Sequence, residues 1–146
     1  MVNATITRFG HPATIVRTYD HWLVLLRPQQ VTAGSLVLAA KSEVTAYGML
    51  PQEAFIEQGL VVAEIEAALG RMLAYERINY LMLMMVDPHV HFHVFPRYDG
   101  SRSLEGAEME DLGWPGPPDL KSPKKLPSEQ FQALNSRFMQ NWLTTY

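Results

Sequence analysis

The sequence contains no cysteine, which excludes several kinds of structure and chemistry. None of its 146 residues supplies a thiol for a disulfide, a thiolate zinc site or a cysteine nucleophile. The absence fits a reducing compartment, where disulfides are rare. The first residues, MVNATITRFGHPATIV, do not place a basic segment before a long apolar run, so no secretory signal is evident. We therefore expect a cytoplasmic protein.

Strong charge of either sign and long apolar runs are also missing. The formal net charge is −3, and the only locally basic segment is KSPKK at residues 121–125, which indicates no nucleic-acid partner. No apolar stretch approaches the roughly 18 residues that a membrane-spanning helix requires, so no membrane partner is expected. Hydrophobic residues make up 47% of the chain, enough for a core. Length and composition together predict one domain over residues 1–146.

The strands predicted from the sequence favour an antiparallel sheet. ATIVRTYD and HWLVLLRP read as a hairpin, and GSLVLAAK follows after the turn formers Pro28 and Gly34. Such closely linked strands favour antiparallel pairing. INYLMLMMV is short and apolar, as a strand covered on both faces would be, although a buried helix segment gives a similar pattern. The histidine-rich run that follows is predicted as its partner strand, up to Pro96.

Two amphipathic helices are predicted in addition. PQEAFIEQGLVVAEIEAALGRMLAYE carries apolar residues at three- and four-residue steps, and so does the C-terminal segment 127–144. Residues 97–126 show no period and contain GWPGPPDL, which predicts a long loop that covers a site, wraps the domain or is disordered. The fold class is therefore α+β, with an antiparallel sheet of about five strands, one long helix and a C-terminal helix.

The segment DPHVHFHVFPRY, residues 87–98, places a histidine at every second position: His89, His91 and His93. Alternate residues of a strand point to the same face, so the three imidazoles would share one face and the intervening apolar residues the other. Three imidazoles do not form an ordinary core, because each requires a polar partner. This face is therefore expected to meet solvent, a ligand or a metal.

Three interpretations of the histidines remain open on the residues alone. The first is an exposed strand face with incidental histidines. The second is a metal site, but only His11 and His21 remain as further imidazole ligands, and a strand spreads its first and third histidines widely for one ion. The third is covalent catalysis, in which one imidazole attacks phosphorus while its neighbours bind phosphate oxygens.

HVHFHVFPR resembles the signature of the histidine triad family, in which three histidines alternate with apolar residues. RINY, ten residues before the triad, is similar to a segment of bacterial histidine triad hydrolases. GSLVLAAK followed by LPQEAF resembles the strand-to-helix segment of the family, and WPGP resembles a C-terminal element of some members. The resemblance is closest over residues 14–98.

The resemblance implies an α+β domain with an antiparallel sheet, commonly paired into a homodimer. It implies chemistry on the α-phosphate of a nucleotide-like substrate: hydrolysis of dinucleoside polyphosphates or nucleoside phosphoramidates, or nucleotidyl transfer. His91 would be the nucleophile, and His89 and His93 would orient it and bind phosphate oxygens. Asn79 would lie near the substrate phosphates, although a strand-end residue bonded to backbone is an equal interpretation. No cofactor or metal is implied.

The sequence departs from the family pattern at three places. Arg27 stands where family members bind the ribose hydroxyls with Asp or Asn, and an arginine has only hydrogen-bond donors. Ser35 replaces a further histidine, and residues 84–86 (Met-Met-Val) replace polar residues before the triad. The missing polar residues before the triad favour, as an alternative, a non-catalytic nucleotide- or ligand-binding protein with the same fold. A histidine-ligated metal enzyme is a further alternative.

Overall fold

A five-stranded antiparallel sheet with the strand order β1-β2-β4-β6-β5 forms the centre of the molecule. The computed structural model describes residues 2–142. The predicted α+β class and five-stranded sheet are confirmed. The strands of this sheet are β1 (Ile15–Thr18), β2 (Trp22–Leu26), β4 (Leu36–Ala40), β5 (Arg77–Leu81) and β6 (His91–Arg97). Two small sheets accompany it: β3 (Gln29–Gln30) with β9 (Lys124–Lys125), and β7 (Ser101–Leu104) with β8 (Ala107–Glu110).

Within residues 2–142, three α-helices surround the sheet. They are α1 (Ala4–Arg8), the long helix α2 (Gln52–Leu73) and the C-terminal helix α3 (Ser128–Asn141), and a 3₁₀ turn at Tyr47–Met49 precedes α2. The predicted long helix and C-terminal helix are confirmed, and residues 143 and 144 of the latter lie outside the described residues. No helix within residues 2–142 is long and apolar enough to cross a membrane.

The central sheet is covered on both faces, because β2 and β4 are apolar at every position. Trp22, Val24 and Leu26 pack into the core formed with α2 and α3. Leu23 and Leu25 point the other way and pack against α1. In the sheet register Val37 and Ala39, which also pack against α1, lie opposite His93 and His91. The two histidines therefore lie on the α1 face of the sheet.

Two strand boundaries differ from the prediction. The apolar run INYLMLMMV forms strand only as far as Leu81, and residues 82–90 connect β5 to β6. Met85 is 85% exposed and Val86 71% exposed, so the end of this run lies on the surface. His89 precedes β6, which begins at His91. The apolar composition of a segment alone does not distinguish a covered strand from an exposed connection. Because β6 begins at His91, His89 does not take part in the strand pairing of the central sheet.

The segment 97–126 is not an irregular loop throughout. Ser101–Leu104 and Ala107–Glu110 pair as a hairpin around Glu105 and Gly106, both with positive φ, as a two-residue turn of this kind requires. Leu104, Ala107 and Met109 are buried in the core beside α2 and α3. Period-2 alternation over two four-residue strands is short, and it is easily overlooked within a segment rich in Gly and Pro.

Candidate active site around the histidines

His91 and His93 lie side by side on β6, with their ring centroids 5.1 Å apart. They are 1% and 8% exposed, and both project toward α1. The structure thus brings together two of the three histidines singled out in the sequence, two residues apart on a strand at the interior of the sheet.

The hydrogen bond of His91 determines its tautomer. Its Nδ1 lies 2.8 Å from the backbone carbonyl oxygen of His89. A carbonyl only accepts, so Nδ1 carries the proton, and in the neutral ring the lone pair resides on Nε2. Among the described residues, the buried side-chain atoms without a hydrogen-bond partner are Glu64 Oε2 and Asn135 Oδ1. His91 Nε2 also has no hydrogen-bond partner within the described residues, yet it is not among these fully buried atoms. It therefore retains some contact with solvent.

His93 has the opposite tautomer. The Nε of Arg27 donates to its Nδ1 at 3.4 Å, so the proton of the neutral ring lies on Nε2. Burial lowers the pKa of His93 to about 4, and the positive charge of Arg27 and the proximity of His91 act in the same direction. At neutral pH His93 is therefore an uncharged ring that offers an N–H donor beside the lone pair of His91.

His89 is held by residues outside the sheet. Its Nδ1 is 3.0 Å from Thr5 Oγ1 in α1, and its backbone N–H donates to the same hydroxyl at 3.3 Å. Its Nε2 lies 3.5 Å from the exposed carboxylate of Glu43. These contacts hold His89 so that its carbonyl faces Nδ1 of His91. The first histidine therefore positions the second through its backbone carbonyl.

Helix α1 and the following Phe9 cover the histidines, and we call Asn3–Phe9 the α1 cover. Asn3 caps α1 by accepting from the N–H of Ile6, and its amide donates to the carbonyls of Ala40, the last residue of β4, and Ser42 just after it. The Phe9 ring centroid is 5.7 Å from that of His91 and 5.6 Å from that of His93. The α1 cover therefore lies over His91 and His93.

Arg27 directly follows β2 and reaches across the sheet to the histidines. In addition to its contact with His93, its Nη1 donates to the carbonyl of Gln29 at 2.6 Å. Its guanidinium carbon lies 5.8 Å from the centroid of the Phe95 ring. A pocket of about 210 Å³ lies next to the histidines. It is lined by Arg8, Phe9, Arg27, Pro28 and Gln29.

Asn79 lies on the same sheet face but further along it. It pairs with Phe95 in the register, whereas Leu81 pairs with His93. Its Oδ1 accepts from Arg97 Nη1 at 2.7 Å, and both residues line a cleft of about 460 Å³ with Trp114. Arg97 also forms a buried ion pair with Asp111 at 2.6 Å. The structure therefore places Asn79 with Arg97, apart from His91.

The other departures noted in the sequence have structural explanations. Ser35 is buried, and its hydroxyl donates to the carbonyl of Thr32 at 2.7 Å, so it stabilises a turn instead of lining the site. The residues at 84–86 lie in the connection before His89. Within residues 2–142, no three side chains of His, Asp or Glu converge on a point that could hold a metal ion.

Sequence reasoning did not identify Thr5, Phe9 or Glu43. Thr5 and His89 are 84 residues apart. The local feature of the sequence that points to this region is the glycine after Phe9. Gly10 has φ +93°, and a Cβ there would lie 2.6 Å from Thr14 Cγ2, so the position requires glycine. A sharp change of direction directly after Phe9 is what this position requires, but it does not reveal which side chain Phe9 contacts.

No family profile and no curated protein matches this sequence. Solved structures do match over most of the chain. A histidine triad protein from Bradyrhizobium japonicum has a TM-score of 0.74 and 14% identity, with 98% of each chain covered. A histidine triad protein from Sinorhizobium meliloti 1021 has a TM-score of 0.69 and 21% identity, covering 97% of this chain and 96% of that one.

An enzyme is also among these structures. Diadenosine triphosphate hydrolase from Plasmodium falciparum has a TM-score of 0.64 and 13% identity, covering 88% of this chain and 76% of its own. At such identities the likeness concerns the fold. The resemblance indicated by HVHFHVFPR is confirmed at that level: the chain has the fold of the histidine triad proteins.

Proposed function

We propose that the protein is a histidine triad hydrolase or nucleotidyl transferase, with His91 as its nucleophile. Its substrate would be a nucleotide-like phosphate ester or anhydride, such as a dinucleoside polyphosphate, or a nucleoside phosphoramidate. The observation that carries the proposal is the hydrogen bond from His91 Nδ1 to the carbonyl of His89, because it leaves the Nε2 lone pair free to attack. The fold shared with a diadenosine triphosphate hydrolase supports the substrate class.

The proposed reaction has two steps. Nε2 of His91 forms a bond to the α-phosphorus while the bond to the leaving group breaks, and the departing oxygen or nitrogen takes a proton from water. Water, or an acceptor hydroxyl in a transferase, then attacks the phosphorus and releases its proton, and the Nε2–P bond breaks to restore the imidazole. The phosphoramidate intermediate is readily hydrolysed because its leaving group is the imidazole ring.

The neighbouring groups would stabilise the charge that develops on the phosphate oxygens. His93 would donate from Nε2, and because this ring is neutral, the positive charge near the site comes from Arg27. His89 would orient His91 and remains the third candidate contact of the triad. Asn79 is a candidate only for a more distant part of the substrate, since its amide oxygen is bonded to Arg97.

The burial of His91 bears on how a substrate would reach it. With Phe9 in place, a ring that is 1% exposed has room for solvent contact at Nε2 but not for a phosphate and its leaving group. The proposed reaction therefore includes displacement of Phe9. The same burial favours a second candidate function, a nucleotide- or ligand-binding protein without turnover, in which Phe9 stays over the ring.

Trapping the covalent intermediate tests the proposal. The protein is incubated with diadenosine triphosphate or an adenosine 5′-phosphoramidate, quenched in the first seconds, and its intact mass measured. We expect a nucleotidyl adduct that peptide mapping places on His91. His91→Ala should carry no adduct and lose turnover by on the order of 10³-fold or more. An adduct on another residue, or full activity of His91→Ala, would contradict the assignment.

Binding without any adduct or product, across both substrates, would favour the binding protein instead. Two further features belong to the proposal. The resemblance implies a homodimer. A cytoplasmic location remains a prediction of the sequence.

A further inference from the structure

Arg27 is a partly buried cation, and no acidic side chain among the described residues pairs with it. Within the described residues, no carboxylate lies within 4.0 Å of its guanidinium, whereas the buried Arg97 is paired with Asp111. Burial lowers the pKa of Arg27, which reflects the cost of removing its charge from water, yet an arginine remains protonated at neutral pH. A desolvated charge left uncompensated is costly, so a protein seldom retains one without a role for it.

The contacts of Arg27 use only part of its donor set. Nε donates to His93 and Nη1 to the carbonyl of Gln29. Among residues 2–142, no acceptor is bonded to Nη2. The guanidinium lines the pocket that it shares with Phe9, Pro28, Gln29 and Arg8, and none of these lining residues is acidic. The pocket therefore offers an unused donor edge and positive charge directly beside the histidines.

The backbone that carries Arg27 is held rigidly. The Nε2 of Gln30 donates to the carbonyl of Arg27 at 2.7 Å. The Oε1 of the same side chain accepts from the N–H groups of Gly34 and Ser35. The N–H of Arg27 donates to the carbonyl of Ser35 at 3.0 Å. A side chain that projects from such a turn is preorganised, which is the condition under which a charged group binds a ligand with little loss of entropy.

We propose that Arg27 binds a second anionic group of the substrate, a phosphate or a carboxylate, next to the phosphate that reacts at His91. This inference rests on the proposed function, because it takes the reacting phosphate to lie at the histidines. One imidazole ring, one guanidinium group and three hydrogen bonds link the two anionic groups, since Arg27 bonds Nδ1 of His93, the reacting phosphate would accept from Nε2, and the second anion would accept from the free edge of Arg27. The substrate is therefore a doubly anionic compound at this end, and not one that presents a neutral diol there.

Arg27 as a purely structural residue is the competing explanation. Its bond to the carbonyl of Gln29 would then hold the turn, and the contact with His93 would be incidental. The two explanations differ in what a neutral substitution changes. A structural Arg27 would affect the melting temperature without affecting which ligand is preferred, whereas a binding Arg27 would affect the preference itself.

The test compares three probes by titration calorimetry: AMP, adenosine 3′,5′-bisphosphate and 3′-O-succinyl-AMP. The last two add a phosphate or a carboxylate beside the same nucleotide. We expect the wild-type protein to bind at least one of them more tightly than AMP, by on the order of tenfold at low salt, as a charge-assisted contact to arginine provides. The arm that shows the preference identifies the anion.

The ratio to compare is the affinity for the doubly anionic probe divided by the affinity for AMP. Arg27→Gln should reduce this ratio to about one. Arg27→Lys should restore part of it, because lysine returns the charge without the planar guanidinium. Arg137→Gln removes the same charge from an exposed position on α3, on the other side of the sheet, and should leave the ratio unchanged. Melting temperatures of all variants show whether each is folded. A wild-type ratio near one, or a ratio that Arg27→Gln leaves intact, overturns the proposal.

His91→Ala separates this inference from the proposed function. If the preference for the second anion persists in this variant and the wild type forms no covalent adduct, the anion site stands while the nucleophile assignment fails. If the adduct forms on His91 but no probe is preferred over AMP, the catalytic proposal stands and the role of Arg27 is refuted.

Discussion

At the residue scale, His91 and His93 are the same side chain in two different protonation patterns. One carbonyl requires the proton of His91 on Nδ1, and one guanidinium requires the proton of His93 on Nε2. A lone pair and an N–H donor thus lie on neighbouring rings. Arg27 beside them carries a positive charge, because a guanidinium does not release its proton near neutral pH.

The titration of His93 is the first prediction at this scale. We expect its ring proton resonances to titrate with a midpoint near pH 4, because burial and Arg27 disfavour the charged form. Arg27→Gln should raise this pKa, although burial keeps it below the ordinary value of 6.5. NMR of ring-labelled histidine measures both. A midpoint near 6.5 in the wild type, or no change in the variant, would contradict the arrangement.

The same shift predicts how stability depends on pH. The unfolded chain binds a proton at His93 more readily than the folded protein between pH 6.5 and about 4. The free energy of unfolding should therefore fall as the pH is lowered through this window, and this contribution should level off below about 4. Urea unfolding at several pH values measures this change in the free energy of unfolding. In Arg27→Gln the pH range over which it occurs should be narrower, because the pKa of His93 in the folded protein is higher.

At the scale of secondary structure elements, the α1 cover determines access to His91. A five-residue helix has little stability of its own, so its position depends on the Asn3 cap, on Ile6 in the apolar cluster with Leu23 and Leu25, and on Phe9 against the histidines. Such an element can open at low free energy relative to the sheet beneath it. This separates the strand that carries His91 and His93 from a cover that can be displaced.

Chemical modification of His91 tests this role of Phe9. Diethyl pyrocarbonate acylates neutral imidazoles that it can reach, so His91 should react slowly in the wild type and several-fold faster in Phe9→Ala. Phe55→Ala, which removes the same ring from the surface of α2, serves as the control and should leave the rate at His91 unchanged. Peptide mass mapping gives the rate per histidine. Equal rates in wild type and Phe9→Ala would show that Phe9 does not limit access.

The ion pair of Arg97 with Asp111 joins the last residue of β6 to the residue that follows β8 in segment 97–126. Both side chains are almost fully buried, and Asp111 also accepts from the N–H of Tyr98. Asp111→Asn leaves the Arg97 charge buried without its counter-ion, so we expect the free energy of unfolding to fall by about 3–5 kcal/mol. Urea denaturation measures the loss.

A surface ion pair provides the control for this measurement. Glu105→Gln breaks the partly exposed contact with Arg137, and it should cost at most about 1 kcal/mol. If Asp111→Asn were no more destabilising than Glu105→Gln, the buried pair would not be what attaches the segment to the sheet.

At the scale of the whole molecule, the surface next to β5 predicts self-association. β5 is an edge strand of the central sheet, and the connection that follows it exposes Leu83, Met85 and Val86. An exposed strand edge beside apolar side chains favours pairing with another chain. Together with the resemblance, this predicts a homodimer, so light scattering should give twice the chain mass of 16.6 kDa. A mass of one chain at about 100 μM would contradict it, by mass action.

The sequence by itself determined the features that depend on short-range periodicity. Alternation placed His91 and His93 on one face of a strand, three- and four-residue spacing predicted α2 and α3, and closely linked apolar runs predicted antiparallel pairing. These patterns are local because side chains project from a strand or a helix with a set period. They sufficed for the fold class and for the common face of His91 and His93 on β6.

Only the tertiary structure decided what surrounds those residues. Thr5 meets His89 across 84 positions and Arg27 meets His93 across 66, while the register of β5 on β6 places Asn79 beside Phe95. The exposed end of INYLMLMMV likewise reflects where pairing stops, not how apolar the segment is. Such contacts depend on how strands align and which face an isolated helix covers. Those choices arise from packing of the whole chain, which no local period encodes.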